Sequence, residues 1–97
     1  MFEKMGYFEV AEKISKDFNV DIDVRFSRGH VFSMSVNRPC SVEAANGIFK
    51  LVDFLKANNK KTFVNGDTTG YVLNDDVLFF ITGELIEDAK TTINLLG

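Results

Sequence analysis

The sequence predicts one α+β domain, a two-layer sandwich with helices mainly on one face of an antiparallel sheet of about 4–5 strands. The element order it predicts is α-ββ-α-βββ-α. Three observations carry this reading. Two stretches, 20–26 and 31–37, alternate apolar and polar residues, as half-buried strands do. Three others, 7–18, 42 to about 57 and about 84–96, repeat apolar residues at helical spacing. Short apolar runs broken by turn residues lie between the last two of these. A chain of 97 residues has enough surface to bury for one core, so residues 1–97 are taken as a single domain. With 45% hydrophobic and 26% charged residues, the composition is that of a folded protein and not of a disordered segment.

In the first helix Tyr7, Ala11, Ile14 and Phe18 form the expected inner stripe. Glu9 with Lys13, and Glu12 with Lys16, are spaced for outer i,i+4 pairs. Asn19 is a suitable stop. The two alternating strands follow, joined through Arg28, Gly29 and His30. Their pairing can be derived. A two-residue turn would set Asp23 and Arg25 on the same face as Met34 and Phe32. An odd loop instead pairs Phe26 with Phe32, Val24 with Met34 and Ile22 with Val36, which gathers the apolar side chains on one face. A slip of one residue would invert both faces, so burial selects the odd loop. The other face is then polar, and the sheet is covered on one side only.

Ser41 is placed to cap the second helix, whose stripe is Ala45, Ile48, Leu51, Val52 and Leu55. Gly47 interrupts it at a cost of about 1 kcal/mol. A strand at 61–64 leads to Asn65-Gly66, a strong hairpin signal. A weaker strand near 71–73 and a turn at 74–76 come next. The run 77–81 is apolar on both faces and is therefore expected at the centre of the sheet. In the last helix Leu85, Ala89, Ile93 and Leu96 are expected inside, with Glu84, Glu87 and Asp88 toward its positive N-terminal end.

The single cysteine, Cys40, precludes an internal disulfide and fits a reducing compartment. The opening residues show no basic segment followed by an apolar run, and no apolar stretch approaches membrane-spanning length. A cytoplasmic protein with no membrane partner is the expectation. The net charge of −3 is unevenly spread, since residues 62–97 hold only Lys90 against six acids. Such a balance does not favour general nucleic-acid binding, which rests on many phosphate-neutralising cations.

Catalytic constellations are missing from the pattern. One His and one Cys cannot make a structural zinc site, and Asp21-x-Asp23 and Asp75-Asp76 lack the oxygen ladder of a calcium loop. No metal and no cofactor are expected. Cys40 lies just ahead of a helix N-terminus, which would stabilise a thiolate, but no partner base is placed beside it. Asp67-Thr68-Thr69-Gly70 differs from the Asp-Thr-Gly loop of acid proteases by an inserted threonine. No phosphate-cradling glycine loop is present. The chain is not expected to be an enzyme.

Two features remain. Phe8 and Phe54 fall well off the stripes of their helices and Met5 lies outside the first, as partner-contacting side chains do. These three are the candidate contact residues of a small non-catalytic protein-binding module. An accessory, adaptor or inhibitor protein, phage-encoded or homodimeric, is the kind expected, with another protein or a second copy as partner. The alternative is an anion- or nucleic-acid-binding regulatory domain that uses Arg25, Arg28, His30 and Arg38 around the first hairpin.

Overall fold

The computed structural model describes residues 2, 4–27, 31–58 and 60–97, and the side chains of these apart from 27, 31 and 60–63. Over them the chain runs α1 (Tyr7–Phe18), β1 (Ile22–Ser27), β2 (Val31–Val36), α2 (Val42–Asn58), β3 (Lys60–Asn65), β4 (Thr68–Asn74), β5 (Val77–Thr82) and α3 (Gly83–Leu96). This is the α+β order the sequence predicts. The strands form one open sheet in the order β1-β2-β5-β4-β3. The sheet is mostly antiparallel, and β2 with β5 is its parallel pairing. The reason is topological: α2 carries the chain across the sheet, and β3 and β4 then build inward from the far border until β5 meets β2.

The first hairpin has the register that burial selects, with Ile22 opposite Val36, Val24 opposite Met34 and Phe26 opposite Phe32. The doubly apolar β5 is indeed central. Val77, Phe79 and Ile81 are buried, whereas Leu78 and Phe80 on the opposite face are half-buried. Met34, Tyr71 and Phe79 join Ile14, Ile48 and Leu51 of the helices in a single core. The face turned away from that core is polar over β1 and β2 but carries Leu78, Phe80 and a partly exposed Val72 farther along.

Local chemistry explains the boundaries. Asn19 closes α1 in the left-handed conformation (φ 56°) and sends its N–H to the Ser15 carbonyl. The Ser41 hydroxyl accepts from the Ala44 N–H at 3.1 Å, and Thr82 Oγ1 accepts from the Leu85 N–H at 3.1 Å. In the β3–β4 hairpin Asn65 pairs with Thr68, so the central turn residues are Gly66 and Asp67, one position later than an Asn-Gly turn. Gly66 (φ 61°) takes the left-handed first position, the preference of a type II′ turn.

Three details depart from the sequence reading. α1 is rotated so that Val10, not Tyr7, joins Ile14 in the core, and Tyr7 is 43% exposed. Its surface ion pair is Lys13 with Asp17, at 3.0 Å, in place of the pairs to Glu9 and Glu12. At the other end Leu96 is exposed, and the packed stripe of α3 ends at Ile93 in the turn before it. Gly47 also has a specific cause: a Cβ built there would lie 1.9 Å from the Phe18 carbonyl oxygen, so only glycine lets α2 pass the end of α1.

Gly47→Ala should therefore destabilise the fold by about 1–3 kcal/mol through overpacking, against the gain of nearly 1 kcal/mol that helix propensity alone implies. Urea unfolding followed by circular dichroism gives the sign directly.

Candidate protein-contact surface

α1 lies over the first hairpin with its N-terminal turn toward the hairpin tip. There the Tyr7 ring stacks on Phe32, with centroids 3.9 Å apart and planes 15° from parallel. Phe32 in turn meets Phe26 edge-on at 5.1 Å. The contact between Phe26 and Phe32 follows from the register. The Asn37 N–H bonds the Asp21 carbonyl at 2.8 Å, which makes Asp21, Asp23 and Arg25 the positions whose backbone faces β2. Phe26 and Phe32 thus form a non-hydrogen-bonded pair, in which side chains approach most closely. The helix begins above Phe32, and Phe26 remains 61% exposed beyond it.

Phe8 follows Tyr7 by one residue, about 100° around the helix, and is 68% exposed. It borders an open groove of about 470 Å³ between α1 and β1, where Ala11, Ser15, Ile22 and Val24 form the floor and sides. Tyr7, Phe8 and Phe26 thereby make an exposed aromatic rim around the N-terminal turn of α1 and the hairpin beneath it. Aromatic clusters of this kind favour protein contacts, because they bury much area with few torsions to fix.

The structure does not bring the predicted contact residues together. Phe54, on α2, packs between Phe2 (6.2 Å, nearly perpendicular) and Phe18 (5.4 Å). Phe2 is buried there because Asn74 holds the N-terminal segment, its Nδ2 donating to the Phe2 carbonyl at 2.8 Å and the Met5 carbonyl at 3.0 Å. Met5 is half-buried against the same core. Phe8 alone of the three stands at the open groove. Sequence reasoning missed Tyr7 and Phe26, since each satisfies the period of its own element.

The two described basic candidates, Arg25 and Arg38, each lie beside a carboxylate. Arg25 Nε donates to Asp23 Oδ2 at 3.0 Å, and Arg38 lies 3.7 Å from Asp88. Both arginines border a shallow depression that also holds Glu84, so carboxylates match the guanidiniums there. Arg28 and His30 lie outside the described residues. Among the described residues no group of three His, Cys, Asp or Glu side chains is placed to hold a metal ion, and no helix is long and apolar enough to cross a membrane. A second cavity of about 330 Å³ opens between α2, α3 and the sheet, walled by Phe49, Val52, Tyr71 and Ile86, with Asp53 and Lys56 at its rim. No family model matches the chain, and no curated protein or solved structure matches it either.

Phe8→Ala should leave stability within about 0.5 kcal/mol of the parent, whereas Phe54→Ala should cost about 2–4 kcal/mol. Paired denaturant titrations check this division between surface and support. Asn74→Ala should cost about 1–2 kcal/mol and raise hydrogen exchange at the N-terminal segment first, since it removes the amide that holds Phe2 and Met5.

Proposed function

We propose that the chain is a non-catalytic protein-binding module, acting as a small accessory, adaptor or inhibitor protein. It contacts its partner through the aromatic rim of α1 and β1. The observation that carries this reading is the exposure of Tyr7, Phe8 and Phe26 on α1 and the hairpin beneath it, with Phe8 bordering an open groove. A fold of this size can bury side chains like these within itself, as it does with Phe2 and Phe79. Three aromatics left outside at one place form the kind of apolar patch that contacts concentrate on. Phe54 and Met5 pack against the N-terminal segment and the core and so support the surface. The lone, exposed Cys40 suits a reducing cytoplasm. The nucleic-acid reading gains no support from Arg25 and Arg38, each already beside a carboxylate.

Affinity capture from the source cell, with the wild type and Phe8→Ala side by side, tests the reading. A polypeptide retained by the wild type, this chain included, should be lost or depleted about tenfold by the variant, the range for removal of an aromatic anchor. If every retained polypeptide is indifferent to Phe8→Ala, the reading is wrong.

A further inference from the structure

We propose that β1 is the seam of a two-fold symmetric dimer, in which it pairs antiparallel with β1 of a second copy. In this register Val24 lies opposite the partner's Val24. The inference rests on the protein-binding reading and names the partner of that surface.

Three features of β1 point to it. First, β1 ends the sheet, and although α1 lies over the first hairpin, an open groove remains between α1 and β1. Second, the backbone parity fixed by the Asn37–Asp21 hydrogen bond turns the N–H and C=O of Ile22 and Val24 away from β2. These are the groups with which an added strand forms its ladder. Third, the charges on β1 are self-complementary in one centred register. With Val24 on the two-fold axis, Asp23 faces the partner's Arg25 and Arg25 faces the partner's Asp23. A shift of two residues, the smallest that keeps the backbone parity, sets Asp23 on the axis against the partner's Asp23, or Arg25 against the partner's Arg25. Like charges directly opposite destabilise such a pair.

The side chains on the helix side agree with that register. Ile22 falls opposite the partner's Phe26, so each exposed Phe26 ring reaches the other copy's groove, between Phe8 and Ile22. The rings that form the rim of the monomer are then covered on both sides of the axis. Arg25 is 81% exposed, so its guanidinium can keep its own Asp23 and still take the partner's carboxylate. The occupant is therefore a second copy of this chain: its strand carries the same Asp-x-Arg spacing in reverse, which another protein would have to match by chance.

Sedimentation velocity over a concentration series tests the proposal with the purified chain. The wild type should show a concentration-dependent dimer that weakens as salt is raised. Asp23→Arg and Arg25→Asp should each weaken self-association about tenfold or more, since two attractive pairs become repulsive. Mixed in equal amounts, the two variants should recover the dimer, because the paired arginines of one chain then face the paired aspartates of the other. That recovery also shows that each variant is folded. Val24→Pro removes an N–H that faces away from β2, so it should keep the far-ultraviolet spectrum and lose the dimer. A wild type that stays monomeric at about 0.5 mM, where even millimolar affinity would register, overturns the proposal. So does a mixture that fails to recover the dimer. A monomer that still captures another polypeptide through Phe8 would overturn the dimer alone; loss of both would end the protein-binding reading too.

Discussion

The sheet is held in one piece by the short parallel ladder between β2 and β5, in which Phe32, Ser33 and Met34 align with Val77, Leu78 and Phe79. Every other strand pairing is a hairpin between neighbours in sequence, and each could form locally. The β2–β5 ladder alone joins the N-terminal hairpin to the C-terminal meander. A bond from the Phe32 N–H to the Asp76 carbonyl, at 2.8 Å, anchors its end. The ladder also aligns Met34 with Phe79, both almost wholly buried, and so places the apolar face of each half under the helices. Contacts of such sequence separation bear the loop-closure cost of the fold, and the helix that spans them, α2, makes them reachable.

That dependence explains the packing of α2. Its inner residues Ala45, Ile48, Leu51 and Leu55 are fully buried, and it meets both other helices. To lie low enough on the sheet it must pass the end of α1, where Gly47 faces the Phe18 carbonyl. The left-handed Asn19 then turns the chain at once toward β1. The first hairpin, the crossing helix and the central strand thus constrain one another.

Much of this was legible in the residues. Strict alternation gave the hairpin register, because a slip exposes a whole apolar face, and the doubly apolar run at 77–81 gave the central strand. Helix positions followed from spacing and, for the second helix, from the cap Ser41. What stayed hidden depends on distant partners. The parallel ladder joins segments more than forty residues apart, and no local period marks it. Burial of Phe2 depends on Asn74, which reads in sequence only as a turn residue. The rotation of α1 that buries Val10 and leaves Tyr7 part-exposed, stacked on Phe32, involves a cross-element contact that no local period marks. The candidate surface was half legible for the same reason. Phe8 is off-period within its own helix, but Phe26 is in period, and its exposure depends on where α1 lies over the hairpin.

The border strand shows how one pattern can both admit and refuse a neighbour. An open sheet edge will accept almost any strand unless something discourages it, and alternating charges are a common device. On β1 the two charges nearest the centre have opposite sign and sit two residues apart, with the Val24 backbone between them facing outward. Parallel in-register stacking, the arrangement of fibrils, would place Asp23 on Asp23 and Arg25 on Arg25 along the whole stack. Antiparallel pairing shifted by two residues would place one such like pair on the axis. Centred antiparallel pairing turns the same charges into two attractions and at the same time covers Phe26. At the opposite border β3 begins with Lys60 and Lys61, adjacent like charges that have no such self-complementary arrangement. In the proposed dimer this asymmetry of the two edges would direct association to β1 and limit it to a closed pair, since a two-fold contact at one edge leaves no second copy of that edge to extend from.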